Sequence, residues 1–118
     1  MPDVTITIVG TLQAEPELRY GQGGNPWCEF RLYVKEGKGD NAAFHHYSCK
    51  AFGTLAENLA ASTGKGDRLI ITGRLVEEQW ENKEGQKRSA LRVLCDDAGP
   101  ALRFATCMIE RIERSPSR

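Results

Sequence analysis

Three features of this 118-residue sequence predict an all-β barrel that carries one helix. Several short segments alternate polar and apolar residues with a period of two, which is typical of strands. A single segment, from Thr54 to about Ser62, has the apolar spacing of a helix, and it follows the third predicted strand. Crossover helices at several positions, which would indicate a doubly wound sheet, are missing. A five-stranded Greek-key barrel with its helix between strands 3 and 4 is the OB-fold arrangement.

The first half of the sequence predicts three strands. The first covers residues 4–12, and Gly10 within it predicts a bulge or a sharp bend of the kind that barrel closure requires. Glu15-Pro16-Glu17 then interrupts the pairing, because proline lacks an amide N–H. The second strand covers residues 27–34, and the polar, glycine-bearing residues that follow predict a mobile hairpin loop. The loop is predicted over residues 35–43, and the third strand over residues 44–52.

The helix has recognisable start and stop signals. Thr54 and Glu57 have the spacing of a capping box, in which the hydroxyl and the carboxylate satisfy the first free amides of a helix. Gly64 and Gly66 are expected to end it.

After the helix, the pattern predicts two long strands and a weaker third one. The long strands cover residues 67–80 and 88–95, joined by a polar turn. Residues 96–100 predict a break, and residues 103–112 alternate weakly enough to predict an extra C-terminal strand. One OB-fold domain therefore spans residues 1–112, and residues 113–118 form a short extension.

Composition limits the function less than the strand pattern does. Sixteen basic residues balance sixteen acidic ones, which counts against a strongly electrostatic nucleic-acid binder, because such domains are usually basic. A local basic surface with stacking platforms is nevertheless sufficient for binding. The longest aliphatic run is Leu69-Ile70-Ile71, so no membrane span is expected. The N-terminus lacks a secretory signal, which predicts a cytoplasmic protein.

Catalytic and metal sites are not expected. The four cysteines form no Cys-x-x-Cys pair and are predicted to be free, mostly buried thiols. His45 and His46 are adjacent on a strand, so they point to opposite faces and cannot converge on one metal ion. Ser48 lacks a plausible base, and Gly21-Gln22-Gly23-Gly24 lacks the lysine and hydroxyl residue of a phosphate-binding loop. We therefore predict no enzyme, no metal and no cofactor.

The third strand offers a candidate binding face. Its even positions place two rings, a hydroxyl and an ammonium group on one side, where rings can stack on unpaired bases and cations can meet phosphates. The alternative is that the last ring belongs to the core and the histidine is an ordinary surface residue, and the strand alone does not separate the two interpretations. The four residues are His46, Ser48, Lys50 and Phe52.

Each tryptophan allows two interpretations. Trp80 lies at the end of a long strand beside a charged turn, where an exposed ring favours a stacking role. It could instead close the hairpin by packing across to residues near Arg88. For Trp27 we favour packing.

Several motifs in order resemble the single-stranded DNA-binding proteins of bacteria and phages. Val9-Gly10-Thr11-Leu12 and Pro16-Glu17-Leu18-Arg19-Tyr20 resemble the start of those proteins. The end of the domain is similar to the actinobacterial branch, and the likeness covers nearly the whole chain. The other matching motifs are Phe52-Gly53, Leu55-Ala56-Glu57-Asn58, Lys65-Gly66, Thr72-Gly73-Arg74-Leu75, Trp80, Glu84-Gly85-Gln86-Lys87-Arg88, and Gly99-Pro100-Ala101-Leu102-Arg103-Phe104-Ala105-Thr106.

This resemblance implies a function. It implies sequence-independent binding of single-stranded DNA by a homotetramer during replication, recombination or repair. Phe52 and Trp80 match positions of stacking aromatic residues in the family, and His46 falls where another ring is usual. Lys65 and Arg74 match positions that are basic or polar in relatives. The remaining predicted contacts are basic residues of the loop and the turn: Lys35, Lys38, Lys87 and Arg88.

Two departures from the family pattern modify these expectations. The arm before Trp80 reads Val76-Glu77-Glu78-Gln79, where relatives often carry lysine or arginine, so we predict weaker binding with a smaller salt dependence. The given sequence ends at Arg118 without the family's acidic tip, so tail-mediated partners are not expected. The acidic arm keeps an alternative open, namely an OB-fold protein-interaction module with weak or lost DNA binding.

Overall fold

The computed structural model describes residues 3–112 and places them in six strands and one α-helix, with two short 3-10 turns. Alternating residues determine the inward face of the strands, as in β3, where Cys28, Phe30 and Leu32 are buried and their neighbours are not. The elements are β1 (Val4–Leu12), β2 (Glu17–Tyr20), β3 (Pro26–Glu36), β4 (Ala43–Phe52), α1 (Thr54–Ser62), β5 (Arg68–Glu81) and β6 (Lys87–Pro100).

Five of the strands close into a barrel. The order around the ring is β1–β5–β6–β4–β3, and β3 returns to β1 through the pairs Thr11–Tyr33 and Leu12–Leu32. In residues 3–112, β4 and β6 pair in parallel and the other pairs are antiparallel. The short β2, which the sequence did not predict, adds to the outer edge of β3. With its helix between β4 and β5, the domain is an OB-fold, as predicted.

Two glycines allow close approaches between barrel strands. A Cβ on Gly10 would lie 3.0 Å from the carbonyl oxygen of Tyr33, so glycine lets β1 cross β3 where the ring closes. A Cβ on Gly73 would lie 2.1 Å from the carbonyl oxygen of Leu94. Of the bulge and the sharp bend predicted as alternatives at Gly10, the bulge is wrong, because β1 keeps a regular register with β5 through that position. The irregularity lies between Thr72 and Gly73 instead.

The helix covers one end of the barrel and has the predicted range, Thr54–Ser62, but its N-terminal cap differs from the prediction. Gly53, with φ of 69°, turns the chain sharply out of β4 and is the N-cap, without a side-chain cap hydrogen bond. The capping box predicted from Thr54 and Glu57 is therefore absent, because Thr54 already lies inside the helix. At the other end, the N–H and hydroxyl of Thr63 both donate to the carbonyl oxygen of Leu59, at 3.0 and 2.7 Å. In residues 3–112, no helix is long and apolar enough to cross a membrane.

The core is a continuous apolar cluster inside the ring. It contains residues from five strands and the two buried residues of α1, Ala56 and Leu59. Burial of this surface is the main favourable contribution to folding. The larger core side chains are Ile8, Leu12, Phe30, Leu32, Leu69, Ile71 and Val93.

All four thiols are free, and three of them contribute to the interior. Cys28 and Cys49 are buried, Cys95 is half-buried and Cys107 is exposed. Burial raises the pKa of the Cys28 thiol to about 11. A hydrogen bond with Cys95, together with burial, raises the pKa of Cys49 as well. The buried pair therefore behaves as small apolar side chains rather than as nucleophiles.

The C-terminal part of the domain differs from the prediction in two ways. The break expected at residues 96–100 is wrong, because β6 continues to Pro100 and Pro100 pairs with Leu69. The bulge opposite Thr72 accommodates the extra residue, Asp96, without ending the strand. The extra strand predicted over residues 103–112 is also wrong, because that segment runs without a strand partner in the described part of the chain. Residues 113–118 lie outside the described residues.

Candidate nucleic-acid interface

The even-numbered residues of β4 lie on the outside of the barrel. Cys49 and Ala51 are buried in the core, so the residues on either side of them point outward. The structure thus places His46, Ser48, Lys50 and Phe52 on one outer face, and Phe52 is 56% exposed rather than part of the core.

Rings gather at both ends of this face. Trp27 of β3 is directly opposite Phe52 at one end. At the other end Tyr33 is opposite His46, with ring centroids 6.4 Å apart, and it meets Phe44 edge-on at 6.0 Å. The two aromatic groups are six positions apart along β3, about 20 Å at the usual rise of a strand. Both groups present ring surfaces beside polar and charged side chains.

A second set of residues lies on the long β5–β6 hairpin. Trp80 is 43% exposed, and its Cα pairs with that of Arg88 across the hairpin. The guanidinium carbon of Arg92 lies 5.7 Å from the centroid of the Trp80 ring, within the range of a cation–π contact. The ring is therefore held from one side by arginine while much of its surface stays accessible to a ligand.

Charged side chains connect the two sets into one surface, which we call the central strip: Trp27, Lys50, Glu78, Arg92 and Trp80. Lys50 Nζ lies 2.9 Å from Glu78 Oε2, and Arg92 Nε lies 3.4 Å from Glu78 Oε1. Lys50 Nζ is also 5.6 Å from the centroid of the Trp27 ring. The hydrogen bond from Lys50, helped by the charge of Arg92, lowers the pKa of Glu78. The carboxylate therefore stays ionised and binds both cations.

The other predicted basic residues are distributed around this surface rather than gathered on it. Arg74 lies on β5 with its guanidinium 3.5 Å from Asp96. Lys65 lies in the α1–β5 loop, where its backbone N–H donates to the Glu15 carboxylate. Arg74 nevertheless lies on the same outer side of the sheet as the β4 face, because Leu94 of β6 is the pairing partner of both Arg74 and Lys50. The remaining four flank the two ends: Lys35 and Lys38 at the β3–β4 connection, and Lys87 and Arg88 at the tip of the hairpin.

Sequence reasoning left four residues of this surface out of the predicted site: Tyr33, Phe44 and Arg92 were not considered, and Trp27 was assigned to packing. Tyr33 and Trp27 occupy odd positions of β3, whose even positions form the core, so the same period-two argument could have found them. Phe44 could have been found from β4 in the same way. No sequence signal places Arg92 beside Trp80, because that contact depends on the register of the hairpin.

The two histidines point to opposite faces, as expected. His45 Nε2 lies 3.7 Å from a carboxylate oxygen of Glu36, whereas His46 lies beside Tyr33. Within residues 3–112, no group of three or more histidine, cysteine, aspartate or glutamate side chains is placed to hold a metal ion.

Comparisons with known proteins identify the family of this chain. The model of the single-strand binding protein family matches residues 4–101. The single-stranded DNA-binding protein of Mycobacterium leprae is 40% identical over 122 residues, covering 96% of this chain and 71% of that protein. The Mycobacterium tuberculosis protein of the same name is 39% identical, covering 96% and 73%. That of Corynebacterium glutamicum is 36% identical, covering 95% and 53%. This chain therefore belongs to the single-strand binding protein family, and the relatives compared come from actinobacteria, as the resemblance predicted.

Proposed function

We propose that this protein binds single-stranded DNA without sequence preference and protects it during replication, recombination or repair, in the cytoplasm and without catalysis. The central strip and the adjacent β4 face carry this proposal, because they combine exposed rings with cations on one continuous outer surface. Every base has a ring face that can stack on an aromatic side chain, so such a surface tolerates any sequence. Duplex bases are already stacked and offer no free ring faces.

In this proposal the rings and the cations have separate roles. Phe52 with Trp27, His46 with Tyr33, and Trp80 provide the stacking positions. Lys50 and Arg92 lie between two of these positions, where the backbone of a bound strand would cross. Ser48 offers a hydroxyl for a hydrogen bond. Basic residues further out attract the strand by charge: Lys35, Lys38, Lys65, Arg74, Lys87 and Arg88.

Tryptophan fluorescence tests the proposal directly. We expect oligo-dT to quench the emission of the native protein, because bases stacked on Trp80 or Trp27 change the surroundings of the indole ring. A duplex of the same length is expected to quench little, and added salt is expected to reverse the quenching as phosphate contacts are lost. Absence of both quenching and a mobility shift with the single strand would overturn the proposal. No feature of residues 3–112 favours the protein-interaction alternative.

We also propose that the protein assembles as a homotetramer. Two surfaces support this. In β1 the residues before Thr11 pair with β5 alone, so one edge of that strand has free backbone groups, and the outward Val9 and Ile70 lie beside it. The segment after Ala101 begins with a turn, continues without regular secondary structure, and exposes large apolar side chains, which are costly to leave in water. These are Leu102, Phe104, Met108, Ile109 and Ile112.

Light scattering after size exclusion tests the assembly. We expect a mass about four times the 13.1 kDa of one chain. Replacing both Met108 and Ile109 with aspartate is expected to lower that mass, because charges cannot be buried in an apolar contact without a large penalty. A matched control replaces the exposed Glu110 of the same segment with glutamine. A monomeric native protein would contradict the proposal.

A further inference from the structure

Glu78 lies in the middle of the proposed DNA-binding surface with the wrong charge for a phosphate contact. Its carboxylate bridges Lys50 and Arg92 with one oxygen toward each. The side chain is 37% exposed, whereas those of Lys50 and Arg92 are 21% and 23% exposed. The anion is thus the most accessible of the three groups, and it is already paired with both cations.

We propose that Glu78 is a built-in competitor of the DNA backbone, which a phosphate must displace before it can bind Lys50 and Arg92. This inference rests on the proposed function and concerns the same surface. A phosphate has the charge sign and the oxygen acceptors of a carboxylate, so it can take over the same two donors. The displaced carboxylate stays attached nearby, however, and continues to repel the strand.

The competition has a measurable signature in the salt dependence. Affinity for single strands falls with salt because each phosphate contact releases condensed cations, and the slope is about 0.7 per contact. At Lys50 and Arg92 the phosphate replaces an anion that already forms an ion pair with each cation. The protein therefore exchanges one ion pair for another there, and these two contacts contribute little to affinity or to the slope.

Replacing Glu78 with glutamine frees both cations while keeping the shape of the side chain. Between 1 M and 0.1 M salt, a slope of about 0.7 per contact changes affinity about fivefold. At 0.1 M salt we therefore expect the variant to bind about fivefold more tightly than the native protein if one cation is freed, and about 25-fold if both are. The salt slope is expected to steepen by about 0.7 to 1.4 in the same variant. Fluorescence anisotropy of a labelled oligo-dT over a series of NaCl concentrations measures both quantities.

Glu77 provides a matched control. It precedes Glu78 on β5, points to the opposite face, and has a hydrogen bond from Gln79 rather than an ion pair with either cation. Glu77→Gln changes the net charge by the same amount, so any effect of overall charge appears in both variants. We expect the affinity of Glu77→Gln to stay within about twofold of the native protein, because a screened charge on the far face contributes little.

A double-mutant cycle separates competition from a packing effect. In the native background Arg92→Gln is expected to change affinity little, because a phosphate contact to Arg92 only replaces the ion pair between Arg92 and Glu78. In the Glu78→Gln background the same change is expected to cost about fivefold. If Glu78→Gln proves too unstable to assay, which its melting temperature reveals, a full fivefold loss for Arg92→Gln in the native background overturns the proposal.

The outcomes distinguish this inference from the function on which it rests. Tight binding by the native protein with equal affinities for Glu78→Gln and Glu77→Gln overturns the competitor role and leaves the function intact. No binding by any variant overturns both. If only Glu78→Gln binds DNA, the competitor role of Glu78 is supported, and the carboxylate is what prevents the native protein from binding.

Discussion

Adding one methyl group at Gly73 is expected to destabilise the barrel strongly. A Cβ there would lie 2.1 Å from the carbonyl oxygen of Leu94 and 2.9 Å from its carbonyl carbon. The clash is with backbone, so it cannot be relieved by a side-chain rotation, and β5 and β6 would have to separate at their bulge. Overpacking of this kind costs about 3 kcal/mol, at the upper end of its usual range. Urea unfolding monitored by circular dichroism gives the free energy of unfolding of Gly73→Ala directly.

Gly99 offers a control in the same pair of strands. It lies on β6 opposite Ile70, and no atom lies within 4 Å of the Cβ that alanine would add. Because alanine restricts the unfolded chain more than glycine does, Gly99→Ala is expected to be neutral or to stabilise by about 0.5 kcal/mol. Similar free energies of unfolding for the two variants would show that the strands at Gly73 can separate without cost.

Removing two exposed rings together is expected to abolish most DNA binding while leaving the fold intact. Phe52 and Trp80 lie at opposite limits of the surface and both are largely exposed, so neither change opens a cavity in the core. Each stack on a base contributes about 1–3 kcal/mol, so the double change to alanine is expected to weaken binding at least about 30-fold and as much as about 20,000-fold. Anisotropy of a labelled oligo-dT measures the loss.

Leu91 provides the control for this pair of changes. It is an exposed apolar residue on the same hairpin, but it pairs with Glu77 and lies on the face opposite Trp80. Leu91→Ala is therefore expected to retain native affinity. Native-like binding by the Phe52→Ala, Trp80→Ala protein would exclude stacking on these rings as the source of affinity.

The sequence was most informative where a residue's role follows from alternation within one strand. The face of β4 could be predicted because burial of Cys49 and Ala51 determines where Lys50 and Phe52 point. The role of Glu78 could not, because its two ion pairs join residues on different strands, and their meeting depends on the barrel register. Sequence alone identified an acidic arm, and the structure shows which of its two carboxylates meets the cations.

The errors at the ends of the domain have a related cause. β2 has four residues with Leu18 half-buried, so it is too short to show a period. Residues 103–112 alternate, but a strand requires a neighbouring strand with free backbone groups, and the alternation does not supply one. Conversely, the sequence of residues 96–100 predicts the end of a strand, although the bulge opposite Thr72 lets β6 continue through them.

The uneven pairing around the ring has a consequence for the order in which the barrel folds. The β3–β4 and β5–β6 hairpins pair along most of their length, whereas β1–β3 and β4–β6 share two residue pairs each. The paired residues lie 20 to 22 positions apart in the sequence at the β1–β3 seam and 44 positions apart at the β4–β6 seam. Local hairpins form before contacts of such separation, because closing a long loop costs entropy that few new contacts offset. The two hairpins are thus early cooperative units, and the seams close later, together with the β1–β5 pairing, whose partners lie 57 to 71 positions apart. Pulsed hydrogen exchange of the backbone amides would reveal this order. Lys50 lies on one side of the β4–β6 seam and Arg92 on the other. A bound DNA strand that contacts both would therefore join two hairpins that fold separately.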